Sequence, residues 1–234
     1  MNPVKSLALA VLKSALGWDS RQACLLCGAP ALAPPLCDAC RGELLPLDLP
    51  GCPFCGEPLI SRQDCCGSCR EDPFPASSGF SLYPYRGGPR ELLSLYKQGD
   101  CKELSDFFAG ELFARRLSLK PLPLVPVPRS EKNFRRRGWD PVDRLCRSLS
   151  RNYGFSCRPL LKRLPSPSQK ELSRQDRLTN LRGKVVPRRR LKEIPREVYL
   201  IDDVWTTGST LRECIGVLKR MGVESVHGVS LVRD

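Results

Sequence analysis

The sequence predicts an α/β fold, a mostly parallel sheet with helices on both faces, preceded by a small cysteine-rich module. Three observations carry this. From residue 79 onward, short apolar runs of strand length alternate with apolar residues at helical spacing. Nine of the 13 cysteines fall between Cys24 and Cys69, mostly as Cys-x-x-Cys pairs. The run from Arg196 to Met221 reads as a buried strand, a loop of small polar residues and the first turns of a helix. The chain therefore divides into an N-terminal helix (1–20), a double zinc ribbon (21–72) and an α/β domain (79–234).

In chain order, Val4, Leu7, Ala8, Val11, Leu12, Ala15 and Leu16 form one apolar helical face. Lys5 and Lys13 bracket it, and no small-residue cleavage site follows, which speaks against a secretory signal. The face either packs on its own protein or makes a weak membrane-surface contact. Four cysteine pairs come next: Cys24/Cys27, Cys37/Cys40, Cys52/Cys55 and Cys66/Cys69. Two begin as knuckles, Cys-Leu-Leu-Cys-Gly and Cys-Pro-Phe-Cys-Gly. The glycine lets the turn fold back so that both thiolates face one ion. Eight thiolates make two tetrahedral zinc sites, paired in series or crossed, and Cys65 beside Cys66 is a spare. The abundance of paired thiols places the chain in a reducing cytosol, with metal rather than disulfides. Closed four-cysteine sites hold folds and leave no open coordination position for catalysis.

Residues 71–78 read as a proline-punctuated linker. Residues 79–85 form a strand, and 90–96 a helix ending at Lys97-Gln98-Gly99-Asp100. Leu104, Phe107, Phe108 and Leu112 mark the next helix. Residues 122–128 read as a short buried strand, and 129–138 as a basic loop. A helix starts at Asp140 or Pro141, with Val142, Leu145, Cys146 and Leu149 inward. Residues 162–192 are polar and basic, as a mobile loop is. Residues 224–232 close the chain as a last strand.

The chemistry concentrates near residue 200. Residues 198–201 form the strand, and Asp202 and Asp203 stand where it should end. Thr206, Thr207, Gly208, Ser209 and Thr210 make the loop, and Leu211, Cys214, Ile215 and Leu218 the inward face of the helix. Strand, loop and helix N-terminus together make a phosphate site, because free N–H groups converge there and the helix dipole favours an anion. The loop lacks the glycine patterns of a P-loop or a dinucleotide fold. The acids can accept hydrogen bonds from two neighbouring hydroxyls, or hold Mg²⁺ directly or through water. A ribose 5-phosphate carries both features.

Charge is uneven. The chain holds 38 basic and 25 acidic residues, an excess of +13. Residues 129–192 hold 20 basic and 5 acidic, an excess of +15, so this segment carries the whole surplus. It suits a polyanionic substrate, nucleic acid or a membrane surface. No apolar run is long enough to span a membrane. His227 is the one histidine and lies in the last strand, which speaks against histidine acid–base chemistry.

The run 198–210 resembles the signature of the type I phosphoribosyltransferases: apolar residues, two acids, two spacers, then Thr-Thr-Gly-x-Thr. The resemblance implies that Asp202 and Asp203 bind the ribose hydroxyls of phosphoribosyl pyrophosphate and that residues 206–210 wrap its 5-phosphate. Trp205 is bulkier than the small apolar residue expected at that spacer. The wider order sharpens the match. The cysteine module is followed by Tyr96-Lys97-x-Gly99-Asp100, then Val125-Pro126-Val127-Pro128 and Arg136-Arg137-Gly138-Trp139. Gln169-Lys170-x-Leu172-Ser173-Arg174 and the phosphoribosyl signature complete it. This order resembles the ComF family, competence-associated proteins with a double zinc ribbon and a phosphoribosyltransferase-like domain. The departures are Trp139-Asp140, where Phe-Asn is expected, and Trp205.

The resemblance implies a reaction that moves ribose 5-phosphate from pyrophosphate to a nucleophile, with Mg²⁺ on the leaving group. Arg129 falls where the pyrophosphate loop should follow the strand. Lys97, Arg136, Arg137, Lys170 and Arg174 are further candidates to neutralise the leaving group. Acceptor specificity would lie in a hood region, here replaced or preceded by the zinc module. A second reading is a non-catalytic protein that handles incoming single-stranded DNA. There the basic segment tracks the strand, and Phe134 or Trp139 stacks on bases or, alternatively, packs on the core. A third is a scaffold whose zinc module docks a protein of the competence machinery.

Overall fold

The computed structural model describes residues 23–47, 51–59, 64–98, 101–129, 131–164, 183–188 and 193–234. The N-terminal helix expected over residues 3–17 lies outside them, as do Lys170 and Arg174.

Two short helices belong to the cysteine module, α1 (Asp38–Glu43) and α2 (Gly67–Glu71). The α/β region follows with β1 (Ser78–Pro84), α3 (Gly87–Gln98), α4 (Leu104–Arg115) and β2 (Leu124–Pro126). Then come α5 (Glu131–Arg137), α6 (Pro141–Tyr153), β3 (Leu161–Arg163) and β4 (Val185–Pro187). The chain ends with β5 (Glu197–Trp205), α7 (Ser209–Arg220) and β6 (Ser225–Arg233).

Four strands form one sheet in the order β1-β6-β5-β2, and every pairing in it is parallel. Parallel strands need crossovers, and α7 supplies the one between β5 and β6. The sheet buries apolar residues on both faces, so its two middle strands carry near-continuous apolar runs. Tyr199 and Ile201 of β5 join the core beneath α3, α4 and α6. Val198 and Leu200 alternate onto the opposite face, under α7 and the β3–β4 pair. The first cysteine group packs on the former core and the second on the latter. This is the α/β architecture that the sequence predicts, mostly parallel and covered on both faces after a cysteine-rich module.

Helix α6 shows why these boundaries fall where they do. The Asp140 carboxylate accepts the Asp143 N–H at 2.9 Å, Pro141 takes the first helical position, and Gly154 ends the helix with φ 73°.

Three expectations need correction. Strand β5 does not stop before the acids. It runs through them to Trp205, because β6 continues the ladder, pairing Asp202 with Ser230 and Trp205 with Arg233. The basic stretch 129–138 is not all loop. Residues Glu131–Arg137 form α5, with a Glu131–Arg135 pair at 3.4 Å across one turn and Gly138 at φ 73° after its end. The polar stretch 162–192 is not all loop either: within it β3 and β4 pair antiparallel, and the pair buries Leu161 and Val185.

Candidate functional site

The acid pair lies near the carboxyl end of β5, between β6 and β2. In a parallel sheet, loops at these ends form the ligand crevice. Along a strand successive side chains leave opposite faces. Asp203 goes toward α3, where its Oδ2 meets the Lys97 ammonium at 2.8 Å. Lys97 is held at the end of α3 by its neighbour Tyr96, which is fully buried and donates its hydroxyl to the Pro141 carbonyl at 2.7 Å. Asp202 lies toward α7, where its charge adds to the effect of burial in pushing the Cys214 thiol up. Its Oδ1 accepts the Asp203 N–H at 2.8 Å. Loss of water around the Asp202 carboxyl, then the Asp203 charge, raise its pKa to about 7, against the pull of that N–H and of Lys97.

Loop 206–210 follows directly. Gly208 takes φ 73° at the N-cap of α7, a left-handed conformation suited to glycine. A Cβ there would lie 2.6 Å from Cε2 of Phe74 and 2.9 Å from Nε1 of Trp205, so glycine is also required sterically. Thr206 and Thr207 are exposed, and Ser209 and Thr210 half-buried. The Thr207 and Ser209 hydroxyls lie 3.2 Å apart. The loop thus presents hydroxyls and the first N–H groups of a 12-residue helix at the sheet's carboxyl end.

Lys97, Gln98, Arg136, Arg137 and Trp139 line a cavity of about 370 Å³. Nε of Arg137 is buried and has no hydrogen-bond partner among the described residues. Arg129 turns elsewhere, stacking over the Phe134 ring at 3.5 Å and approaching Asp143 at 3.9 Å. Trp139 packs on Tyr96 with ring centroids 5.2 Å apart. The structure therefore joins Lys97 to Asp203 and groups it with Arg136 and Arg137. Arg129 stands apart from that group, and Lys170 and Arg174 lie outside the described residues.

The eight cysteines resolve into two groups in series. Cys24, Cys27, Cys37 and Cys40 form one, and Cys52, Cys55, Cys66 and Cys69 the other, with all sulfurs of a group within 4.8 Å of one another. Four Zn–S bonds of about 2.3 Å at tetrahedral angles put sulfurs about 3.8 Å apart. Cys27 and Cys37 are separated by 3.7 Å, and Cys55 and Cys66 by 3.6 Å. Both groups fit such an ion, and Cys66 rather than Cys65 completes the second. Burial raises the Cys24 and Cys52 thiols, but backbone N–H groups of the knuckles and of the partner pairs, those of Cys37 and Cys66, outweigh it and bring them down to about 6 and about 7.

His227 is held on both sides, with Nδ1 at 2.7 Å from Ser78 Oγ and Nε2 at 2.7 Å from Glu197 Oε1. It lies in the sheet between β1 and β5. Sequence reasoning passed over Phe74 and Arg233. The signal for Phe74 was one aromatic between two prolines in an otherwise polar linker. Arg233 carried no signal at all. The bulk of Trp205 is accommodated by Gly228, where a Cβ would lie 2.7 Å from the Trp205 ring.

Fold and site thus define an α/β protein with an acid pair and a glycine-capped loop at the sheet's carboxyl end, carrying two four-cysteine groups that could each hold a metal ion. No family model matches the chain. It is 30% identical over 214 residues to Competence protein F of Haemophilus influenzae, covering 85% of this chain and 90% of that one. It is 27% identical over 202 residues to Competence protein ComFC of Streptococcus pneumoniae, covering 85% and 87%. It is 29% identical over 191 residues to DNA utilization protein YhgH of Escherichia coli, covering 78% and 83%. The chain belongs to the ComF family. Among solved structures, a hypoxanthine phosphoribosyltransferase of Staphylococcus aureus aligns with TM-score 0.35 and 20% identity, over 57% of this chain and 65% of that one. An adenine phosphoribosyltransferase of Thermoanaerobacter pseudethanolicus aligns with TM-score 0.36 and 14% identity, over 60% and 84%. The architecture rests on the strand order and register given above rather than on these superpositions. Among the described residues, no helix is long and apolar enough to cross a membrane.

Proposed function

We propose that the chain is a phosphoribosyl pyrophosphate-binding protein acting with Mg²⁺ in the handling of DNA taken up during competence, and that its domain is built for phosphoribosyl transfer. One observation carries this reading: an acid pair on β5 runs straight into a loop whose glycine caps a helix at the sheet's carboxyl end. Asp202 and Asp203 would accept the ribose hydroxyls, and loop 206–210 would take the 5-phosphate on its N–H groups and hydroxyls. Lys97, Arg136 and Arg137 would face the pyrophosphate across the cavity they line. The names of the relatives, competence proteins and a DNA utilization protein, supply the cellular setting.

Asp203 is already neutralised by Lys97, which makes it a poor direct ligand for a divalent ion. Mg²⁺ would therefore reach this chain through water and through the ligand's own oxygens, and would supply charge neutralisation on the leaving group. The residues would hold the sugar in place and set positive charge near the leaving pyrophosphate, which is the greater part of catalysis where charge develops on a leaving group. A ligand hydroxyl donates to an ionised Asp202, so binding should strengthen as pH rises through about 7. In this proposal the two four-cysteine groups hold structural Zn²⁺, and the chain works in the cytoplasm.

Calorimetric titration with phosphoribosyl pyrophosphate and Mg²⁺ tests the reading. The wild type should bind, and Asp202→Asn/Asp203→Asn should not. Absence of binding to the wild type would remove the enzyme reading.

A second reading has its own support. Arg135 and Arg136 are exposed on α5, and Arg136 lines a cavity with Trp139. A non-catalytic protein could track single-stranded DNA along that surface, with the zinc module docking a partner of the competence machinery. Binding through phosphates would then fall steeply with salt, and Arg135→Ala/Arg136→Ala would flatten that slope.

A further inference from the structure

The two cysteine groups differ in what touches their sulfurs. In the first, the sulfurs meet one another and neighbouring backbone N–H groups, such as that of Cys40, which donates to Cys37 Sγ at 3.5 Å. Arg41, next to Cys40, turns instead to Glu111 at 3.5 Å and to the Phe107 ring. In the second, Arg233 at the end of β6 directs all three guanidinium nitrogens toward the knuckle and the Glu57 beside it. Nε donates to Glu57 at 2.6 Å, one Nη to the Cys55 carbonyl at 2.7 Å, and the other Nη reaches Cys55 Sγ at 3.7 Å. Four thiolates around a divalent ion leave two excess negative charges, and a guanidinium beside one sulfur offsets part of them while fixing its direction.

The other face of the same guanidinium lies over the Trp205 ring, 5.1 Å from its centroid. Trp205 is 1% exposed and packs on Phe74 with centroids 5.0 Å apart. Phe74 in turn fills the space beneath Gly208, and Arg212 of α7 covers it at 4.7 Å while donating to the Asp72 and Pro73 carbonyls. The contacts are therefore continuous from Cys55 to Gly208. Spatial continuity alone does not establish coupling; an element with two states is also needed. The second cysteine group has two, since without an ion its four sulfurs lose the bonds that hold them together.

We propose that Arg233 is a positioning residue that couples the second cysteine group to loop 206–210 through Trp205 and Phe74, so that metal in that group fixes the backbone of the loop. Its functional meaning rests on the reading of that loop as a phosphate site, but the coupling itself does not.

The test uses the full chain loaded with Zn²⁺ and no phosphoribosyl ligand, so failure of the ligand reading leaves its outcome unaffected. Hydrogen exchange is followed in peptides spanning residues 203–215. Zinc release to a chromogenic chelator is followed in parallel, with alkylation mapping showing which cysteines are freed. Arg233→Gln should make the second group release zinc roughly tenfold more readily, the scale seen for partners of metal ligands. It should also speed exchange across the loop and leave the first group unchanged. Phe74→Leu should speed exchange in the loop with zinc release unchanged. If Arg233→Gln does not fold, graded chelation of the wild type decides. Loop protection should then fall in step with alkylation of Cys52, Cys55, Cys66 and Cys69. Loop exchange that stays at the wild-type rate while the second group empties, or that follows the first group instead, would overturn the proposal.

Discussion

The two four-cysteine groups share a knuckle sequence, Cys-x-x-Cys-Gly, yet they are built into the molecule in different ways. The first leaves Cys27 exposed and Cys37 and Cys40 half-buried, and it rests on the α3–α4 side of the sheet through Leu26, Leu36 and Leu44. These are side-chain contacts, which can shift. The second buries Cys52, Cys55 and Cys69 and meets β1 backbone to backbone. A Cβ on Gly79 would lie 2.5 Å from the Cys55 carbonyl carbon, and one on Gly56 2.8 Å from the Gly79 carbonyl oxygen. The knuckle motif determines what is bound. Its packing partner determines whether the ion serves a local module or the whole domain.

Removing a ligand from each group tests that contrast most severely. Cys55→Ser should cost the α/β domain several kcal/mol, because a closed metal site contributes its binding energy to folding. Its thermal transition should fall far or lose cooperativity. Cys27→Ser should cost the exposed knuckle its metal while shifting the main transition only slightly. Equal losses from the two variants would show that both groups are integral to the domain.

The paired glycines give a smaller effect of the same kind. Gly79→Ala forces a methyl against the Cys55 backbone, and overpacking that cannot relax costs about 1–3 kcal/mol. At Gly88 the methyl would meet Leu44 Cδ2 at 3.1 Å, a flexible side-chain end. Gly88→Ala should therefore cost less than about 1 kcal/mol and, lying in α3, regains some helix propensity. Urea denaturation of both variants measures the difference, and equal midpoints would contradict it.

Most of the fold could be read in the sequence because periodicity reports burial directly. Helix α6 announced itself through Asp140, Pro141 and four inward residues, and the parallel sheet through its alternating runs. The acid pair and loop 206–210 were legible as one stretch. What escaped were features set by tertiary partners. The length of β5 depends on β6 continuing beside it, which the local composition of Asp202 and Asp203 argues against. The helix α5 is hidden in arginines whose charge suggests loop. Phe74 and Arg233 act across 159 positions of sequence, a separation no local pattern reports. The pairing of cysteines in series was likewise undecided until the fold brought each set together.

The two acids carry the contrast between the faces of the sheet to its smallest scale. Asp203, on the side of the first cysteine group, has Lys97 as a partner at 2.8 Å. Asp202, on the side of the second, has lost water and has only the Asp203 N–H and the charge of the Lys97 that pairs with its neighbour to favour its ionised form, so its pKa is raised to about 7 from an ordinary 3.8. The folded chain therefore holds a proton that the unfolded chain releases between about pH 4 and pH 7. Stability must fall as pH rises through that window, and above it the ionised carboxylate is retained at a cost. Asp202→Asn removes the cost. Without ligand, its melting temperature should match the wild type near pH 4 and exceed it increasingly up to pH 8. Asp203→Asn should instead lower stability by releasing Lys97, and should move the pH midpoint of Asp202 downward by removing a like charge. A gap between Asp202→Asn and wild type that stays constant across this range would mean that Asp202 is not desolvated. A gap that opens as described would mark Asp202 as a residue kept at the expense of stability, the expected condition of a carboxylate waiting for a ligand's hydroxyl.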